Sequence, residues 1–135
     1  MSKPFSYSKK EKLKSRKLLE QIFSKGRSIN VFPLKVFYLQ PGEKQDFYIK
    51  TGVGVSGRNF KKAVERNHIK RLLRETYRTE KTSLHEFLKE QDKQVAVFIL
   101  YIDKTAPVYA TIKEKMPIAL KRLMNELNEN NSKNT

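Results

Sequence analysis

Between Leu18 and Phe23 the apolar residues Leu18, Leu19, Ile22 and Phe23 return at helical spacing, and Gly26 follows as a stop. That spacing predicts a short amphipathic helix over 15–25. After "GRSIN", the run "PLKVFYL" reads as a strand, closed by the turn "PGEK". "DFYIKTGVGV" then alternates: Phe47, Ile49, Thr51, Val53 and Val55 on one face, Tyr48, Lys50, Gly52 and Gly54 on the other. "SGRN" turns the chain into a long helix over 61–78, with Asn59 as its expected N-cap. "TEKTSLHEFLKEQDK" reads as further helix and loop. "QVAVFILYI" (94–102) is apolar on both faces, as a strand covered on both sides should be. Tyr109, Ile112, Met116, Leu120, Leu123 and Leu127 mark a last amphipathic helix that Pro117 either kinks or starts. The order helix, strands, helix, strand, helix predicts one α+β domain over 1–127. Its first residues (1–14) would be a flexible basic arm, and a disordered polar tail (128–135) would follow it.

Two faces of this pattern are not explained by a core. In the first strand Lys35, Phe37 and Leu39 alternate with Leu34, Val36 and Tyr38. Paired with the glycine-bearing strand, they give a face mixing Lys35, Phe37, Tyr48 and Lys50. It reads either as the half-exposed side of an antiparallel sheet or as an aromatic and basic platform for single-stranded RNA. The second face belongs to the 61–78 helix. At 100° per residue its apolar stripe (Ile69, Leu72, Leu73, Thr76, Tyr77) is nearly disjoint from an arc of Arg66, Asn67, Lys70, Arg71, Arg74 and Arg78. Lys62, Arg66, Lys70 and Arg74 recur every four residues and repel one another unless an anion lies across them.

Charge sharpens this reading. The chain carries 29 Lys and Arg against 14 Asp and Glu, a net charge of +15. Residues 1–27 hold 9 basic against 2 acidic residues, and residues 55–78 hold 8 against 2; the remainder is nearly balanced. Concentrated charge of this size points to a polyanionic partner. A membrane-surface helix would need bulky apolar anchors opposite its charges, and no apolar run reaches the length of a membrane span. A DNA-reading helix-turn-helix needs a preceding helix across a short turn, but a glycine-containing strand precedes this one. Phosphate contact with a shaped RNA needs only arginine forks and lysine charges.

Protein-side catalysis has little to stand on. There is no cysteine, so disulfides and thiolate metal sites are excluded. His68 and His85 lack metal-pair spacing, and Asp46, Asp92 and Asp103 fall where turns and caps use aspartate. "GVGVSG" lacks the Gly-Lys-Ser/Thr ending of a phosphate loop. No motif binds a cofactor.

"RNHIKRLLRETYR" (66–78), led by "VSGRNFKKAVE" (55–65), closely resembles the signature of the protein subunit of bacterial ribonuclease P. The likeness extends over roughly residues 9–127, through "IFSKGRS", "LKVFYL", the Gly-x-x-Val strand, the late apolar strand and the final helix. The resemblance implies an αβββαβα fold with a mostly antiparallel sheet and a left-handed β-α-β crossover. It also implies a role in a cytoplasmic ribonucleoprotein endonuclease. There the RNA subunit, which requires Mg²⁺, removes the 5′ leader of precursor tRNA, and the protein binds both RNAs. On that reading Arg66, Asn67, Lys70, Arg71 and Arg74 contact the ribonuclease P RNA, supported by Arg58, Lys61 and Lys62. Leu19, Phe23 and Phe37 match the family's leader cleft, to which the platform residues Lys35, Tyr48 and Lys50 add. Neither DNA nor a membrane is an expected partner. The alternative is a structured-RNA-binding or chaperone module without linked cleavage. Three positions depart from the family pattern: His68 exchanges a constant charge for a titratable one, Gly57 replaces a usual Lys, and Leu19 replaces a common aromatic.

Overall fold

The computed structural model describes residues 16–42 and 47–133. The elements are α1 (Arg16–Lys25), β1 (Arg27–Val31), β2 (Leu34–Leu39), β3 (Ile49–Val55), α2 (Ala63–Glu80), α3 (Thr82–Gln91), β4 (Val95–Tyr101) and α4 (Tyr109–Lys133). The basic arm at 1–14 lies outside the described residues. The four strands form one mixed sheet in the order β1-β2-β4-β3, with β1-β2 and β2-β4 antiparallel and β3-β4 parallel. The α+β class and the mostly antiparallel sheet are as the sequence and the resemblance implied.

Period-two alternation decides which residues enter the core. Ile29 and Val31 of β1, Leu34, Val36 and Tyr38 of β2, Val95, Val97, Ile99 and Tyr101 of β4, and Ile49 of β3 point to one face. There Ile69, Leu73 and Tyr77 of α2, Leu84 and Leu88 of α3, and the apolar stripe of α4 close over them. The buried Thr51 hydroxyl of β3 hydrogen-bonds the Tyr77 hydroxyl of α2 at 2.8 Å, and no described buried side-chain polar atom lacks a partner. On the other face α1 lies against β2 and β4. Its Ile22 is fully buried yet outside the main core cluster. The molecule is therefore three layers: α1, the sheet, and α2 with α3 and α4.

Several sequence expectations change. "RSINV" forms strand β1, the first of the three strands the resemblance implied, where the residue pattern alone gave only a connection before β2; its Ile29 and Val31 alternate, but the run is too short for the pattern to stand out. Residues 82–91 form a separate helix, so the order is αβββααβα. Asn59 does not cap α2. It sits in the turn where the amides of Asn59 and Phe60 both reach the Ser56 carbonyl, and the N-cap is Lys62, without a side-chain cap bond. The last helix begins at Tyr109, well before Pro117, and continues to Lys133. Nothing between 128 and 133 is a glycine or proline that would stop it.

Gly26 has a reason the sequence did not supply. A Cβ there would collide with the backbone carbonyl of Ile22 and come within 2.6 Å of the Tyr38 carbonyl oxygen. Both obstacles are main chain, so the close approach of α1 to β2 depends on the missing side chain. Gly26→Ala is expected to cost about 1–3 kcal/mol, read as a lower urea midpoint at unchanged m-value. An unchanged midpoint would mean that α1 is not seated as described.

Candidate nucleic-acid interface

The turn after β3 sets up the first candidate surface. Phe60 is buried against the core, its ring centroid 6.1 Å from that of Tyr101, which fixes where α2 begins. Arg58, Lys61 and Lys62 flank it and are exposed. From there α2 buries Ile69, Leu73, Thr76 and Tyr77 and leaves Asn67, Arg71 and Arg74 exposed, with Arg66 and Lys70 half-buried. The apolar and basic stripes separate as the periodicity predicts. Thr76 joins the buried stripe without penalty because its hydroxyl donates to the Leu72 and Leu73 carbonyls at 2.9 and 3.1 Å.

The basic residues are not equivalent. One Arg66 guanidinium nitrogen donates to the carbonyls of Phe60 (3.0 Å) and Lys61 (2.6 Å), so this arginine folds back to brace the turn that precedes its own helix. Arg71 lies 3.5 Å from Glu75, an exposed i,i+4 pair. Glu75 thus meets the edge of the basic arc; a pair this exposed contributes little. Lys70 and Arg74 have no ion pair with a carboxylate among the described residues. His68 is exposed on the same helix.

The second candidate surface is the sheet face under α1. Strand register places Phe37 opposite Phe98, with Gly52 beside Phe98 on the edge strand, and Lys35 opposite Leu100, with Gly54 beside it. Phe23 of α1 is 49% exposed and packs edge-on against both rings, at 5.0 Å from Phe37 and 5.3 Å from Phe98. The Lys35 ammonium lies 5.2 Å from the Phe37 centroid, in cation–π range. Leu19, one turn before Phe23 on the same side of α1, is half-buried. The Phe98 ring extends over Gly54, where a Cβ would stand 2.5 Å from its tip. The result is a groove with an aromatic floor, a half-exposed aromatic wall and a lysine at one end.

Leu19, Phe23, Lys35 and Phe37 are thus brought together; Tyr48 and Lys50 are not. A bend at Tyr48 interrupts the alternation before β3 begins. Tyr48 turns toward α3, its ring 6.1 Å from His85, and packs on the main core. Phe47 crosses to the α1 side instead. Lys50 faces the α1 side but stands level with Leu39, across Ala96 of β4, at the end of the sheet opposite Lys35. Sequence reasoning missed Phe98 because "QVAVFILYI" looked apolar throughout. Ala96, Phe98 and Leu100 do share one face, and the pairing with β2 makes Phe98 part of an aromatic row.

The carboxylates serve as structure. The Asp103 side chain accepts from the Thr105 amide at 3.2 Å, and this backbone hydrogen bond holds its carboxyl below the ordinary value. Asp92 is the left-handed C-cap of α3, its amide reaching the Leu88 and Lys89 carbonyls. Asp46 lies outside the described residues. Among the described residues no group of three or more His, Asp or Glu converges as a metal site, and no helix is long and apolar enough to cross a membrane.

Fold and surfaces together define a class: a small basic α+β protein with one mixed sheet, an aromatic groove under its first helix and a cationic stripe on its second. A family model described as Ribonuclease P matches residues 7–126. The chain belongs to the ribonuclease P protein family. It is 32% identical over 119 residues to the ribonuclease P protein component of Porphyromonas gingivalis, covering 88% of this chain and 87% of that one. The RNase P protein of Staphylococcus aureus has the same fold, with a TM-score of 0.62 at 22% identity over 84% of this chain and 94% of that one. The RNase P protein from Thermotoga maritima gives 0.61 at 24% identity over 83% and 96%.

Proposed function

We propose that this chain is the protein subunit of a cytoplasmic ribonuclease P. It binds the catalytic RNA through α2 and the turn before it, and it holds the 5′ leader of precursor tRNA in the groove under α1. The separation of buried and basic stripes on α2 carries this reading, because it leaves Asn67, Lys70 and Arg74 directed at a partner rich in phosphates. Arg58, Lys61 and Lys62 extend that surface around the helix start. Arg66 positions the turn, with its remaining donors available to the same RNA. In the groove, Phe23, Phe37 and Phe98 offer ring faces and edges for unpaired bases, and Lys35 offers a charge to the strand that carries them.

In this reading the chemistry belongs to the RNA subunit and its Mg²⁺ ions, and the protein supplies binding and orientation. The test is cleavage of a precursor tRNA at low Mg²⁺ by the protein alone, by a bacterial ribonuclease P RNA alone, and by both. Cleavage at the mature 5′ end only with both supports the assignment. Cleavage by the protein alone would place an active site on this chain. Binding to many structured RNAs without stimulated cleavage would favour a chaperone module.

A further inference from the structure

Helix α1 divides the open sheet face into two flanks. At 100° per residue, Ile22 points at the sheet, Leu19 and Phe23 lie to one side, and Lys17, Leu18 and Lys25 to the other. The first side is the aromatic groove. On the second side lies a cavity of about 690 Å³, within the usual range for small-molecule sites. Lys17 and Lys25 line it from the helix and Lys50 from β3, with Leu18, Leu39 and Phe47 as its apolar lining. No carboxylate lines it among the described residues. The bend at Tyr48 creates this site, since it is what brings Phe47 to this flank. The Lys50 ammonium stands 4.9 Å from the Phe47 centroid, so a cation and a ring meet at one spot.

We infer that this cavity is a second RNA-binding site, taking a single-stranded nucleotide with its phosphate among the three lysines and its base against Phe47 and Leu39. Three lysines in the lining, with no carboxylate among the described residues, select an anion, and the apolar lining selects one that carries a hydrophobic plane. The occupant is the part of the precursor leader farther from the cleavage site. Phe37 in the groove and Leu39 at the cavity are two residues apart on β2, on the same face, so a strand that continues from the groove past α1 reaches the cavity. The inference rests on the leader-binding reading of the groove and extends it from one flank of α1 to both.

The test compares the holoenzyme's affinity for two precursors, one with a leader of a few nucleotides and one several times longer. The protein is wild-type, Lys17→Gln/Lys25→Gln, or Phe37→Ala. Both lysines are exposed, and unchanged far-UV circular dichroism establishes that the double variant is folded. For that variant we expect severalfold weaker binding of the long-leader precursor and a log–log salt slope shallower by about 1.4, at ~0.7 per single-strand contact. Binding of the short-leader precursor should be unchanged. Equal losses on both leaders would overturn the inference by assigning the lysines to another contact, and no loss on either would overturn it by leaving the cavity outside the interface. Phe37→Ala reads the groove separately: if it fails to weaken the short-leader precursor, the groove reading itself has failed.

Discussion

Replacing Lys70 and Arg74 together with alanine is expected to weaken binding of ribonuclease P RNA about 100-fold at moderate salt. A hydrogen bond to a charged group contributes about 1.5–3 kcal/mol, and losing two such contacts at the lower figure gives roughly that factor. The log–log salt slope should become shallower by about 1.8 where the contacts are to duplex phosphates, ~0.9 for each. Neither side chain is in the core, so the urea midpoint should shift by no more than about 0.5 kcal/mol equivalent. This pair is a cleaner probe than one containing Arg66, whose removal would also free the Phe60 and Lys61 carbonyls it braces. Glu75→Gln supplies a result of opposite sign. It releases Arg71 from its 3.5 Å pairing and removes an acid from the edge of the stripe, so RNA binding should tighten slightly. Filter binding across a salt series reads all of these. An unchanged slope for the double variant would remove this face of α2 from the interface.

The second large effect is expected at Phe37. Stacking of a base on an aromatic side chain contributes about 1–3 kcal/mol, so Phe37→Ala should weaken the leader-bearing precursor by roughly 5- to 150-fold and leave mature tRNA nearly untouched. Phe37 also packs edge-on against Phe23 at 5.0 Å. Some stability will be lost with that contact, about 0.5–1.5 kcal/mol beyond the area term, and thermal melting measures it independently of affinity. Equal losses for precursor and mature tRNA would reject the groove as the leader's site.

Much of α2 is legible without a structure because its evidence is local. A helix repeats every 3.6 residues whatever it packs against, so Ile69, Leu73, Thr76 and Tyr77 declare the buried side, and the cations between them declare the other. The same holds for β2, where strict alternation separates Leu34, Val36 and Tyr38 from Lys35 and Phe37. The alternation before β3 misleads at one point. A single bend at Tyr48 reverses the faces of Phe47 and Tyr48, because a period of two loses its phase with one irregular residue.

Short-range periodicity and residue chemistry alone gave the α+β class, the core side of each main element, the basic stripe and the Lys35/Phe37 part of the groove, whereas Leu19 and Phe23 were marked as groove residues only by the family resemblance. What only the tertiary structure decided was which of them meet. The β1-β2-β4-β3 order places Phe98 beside Phe37 and puts Lys35 and Lys50 at opposite ends of one face. The bare backbone at Gly26 seats α1 so that it separates groove from cavity. Strand pairing and helix seating depend on contacts between residues far apart in the chain, and no local period encodes them.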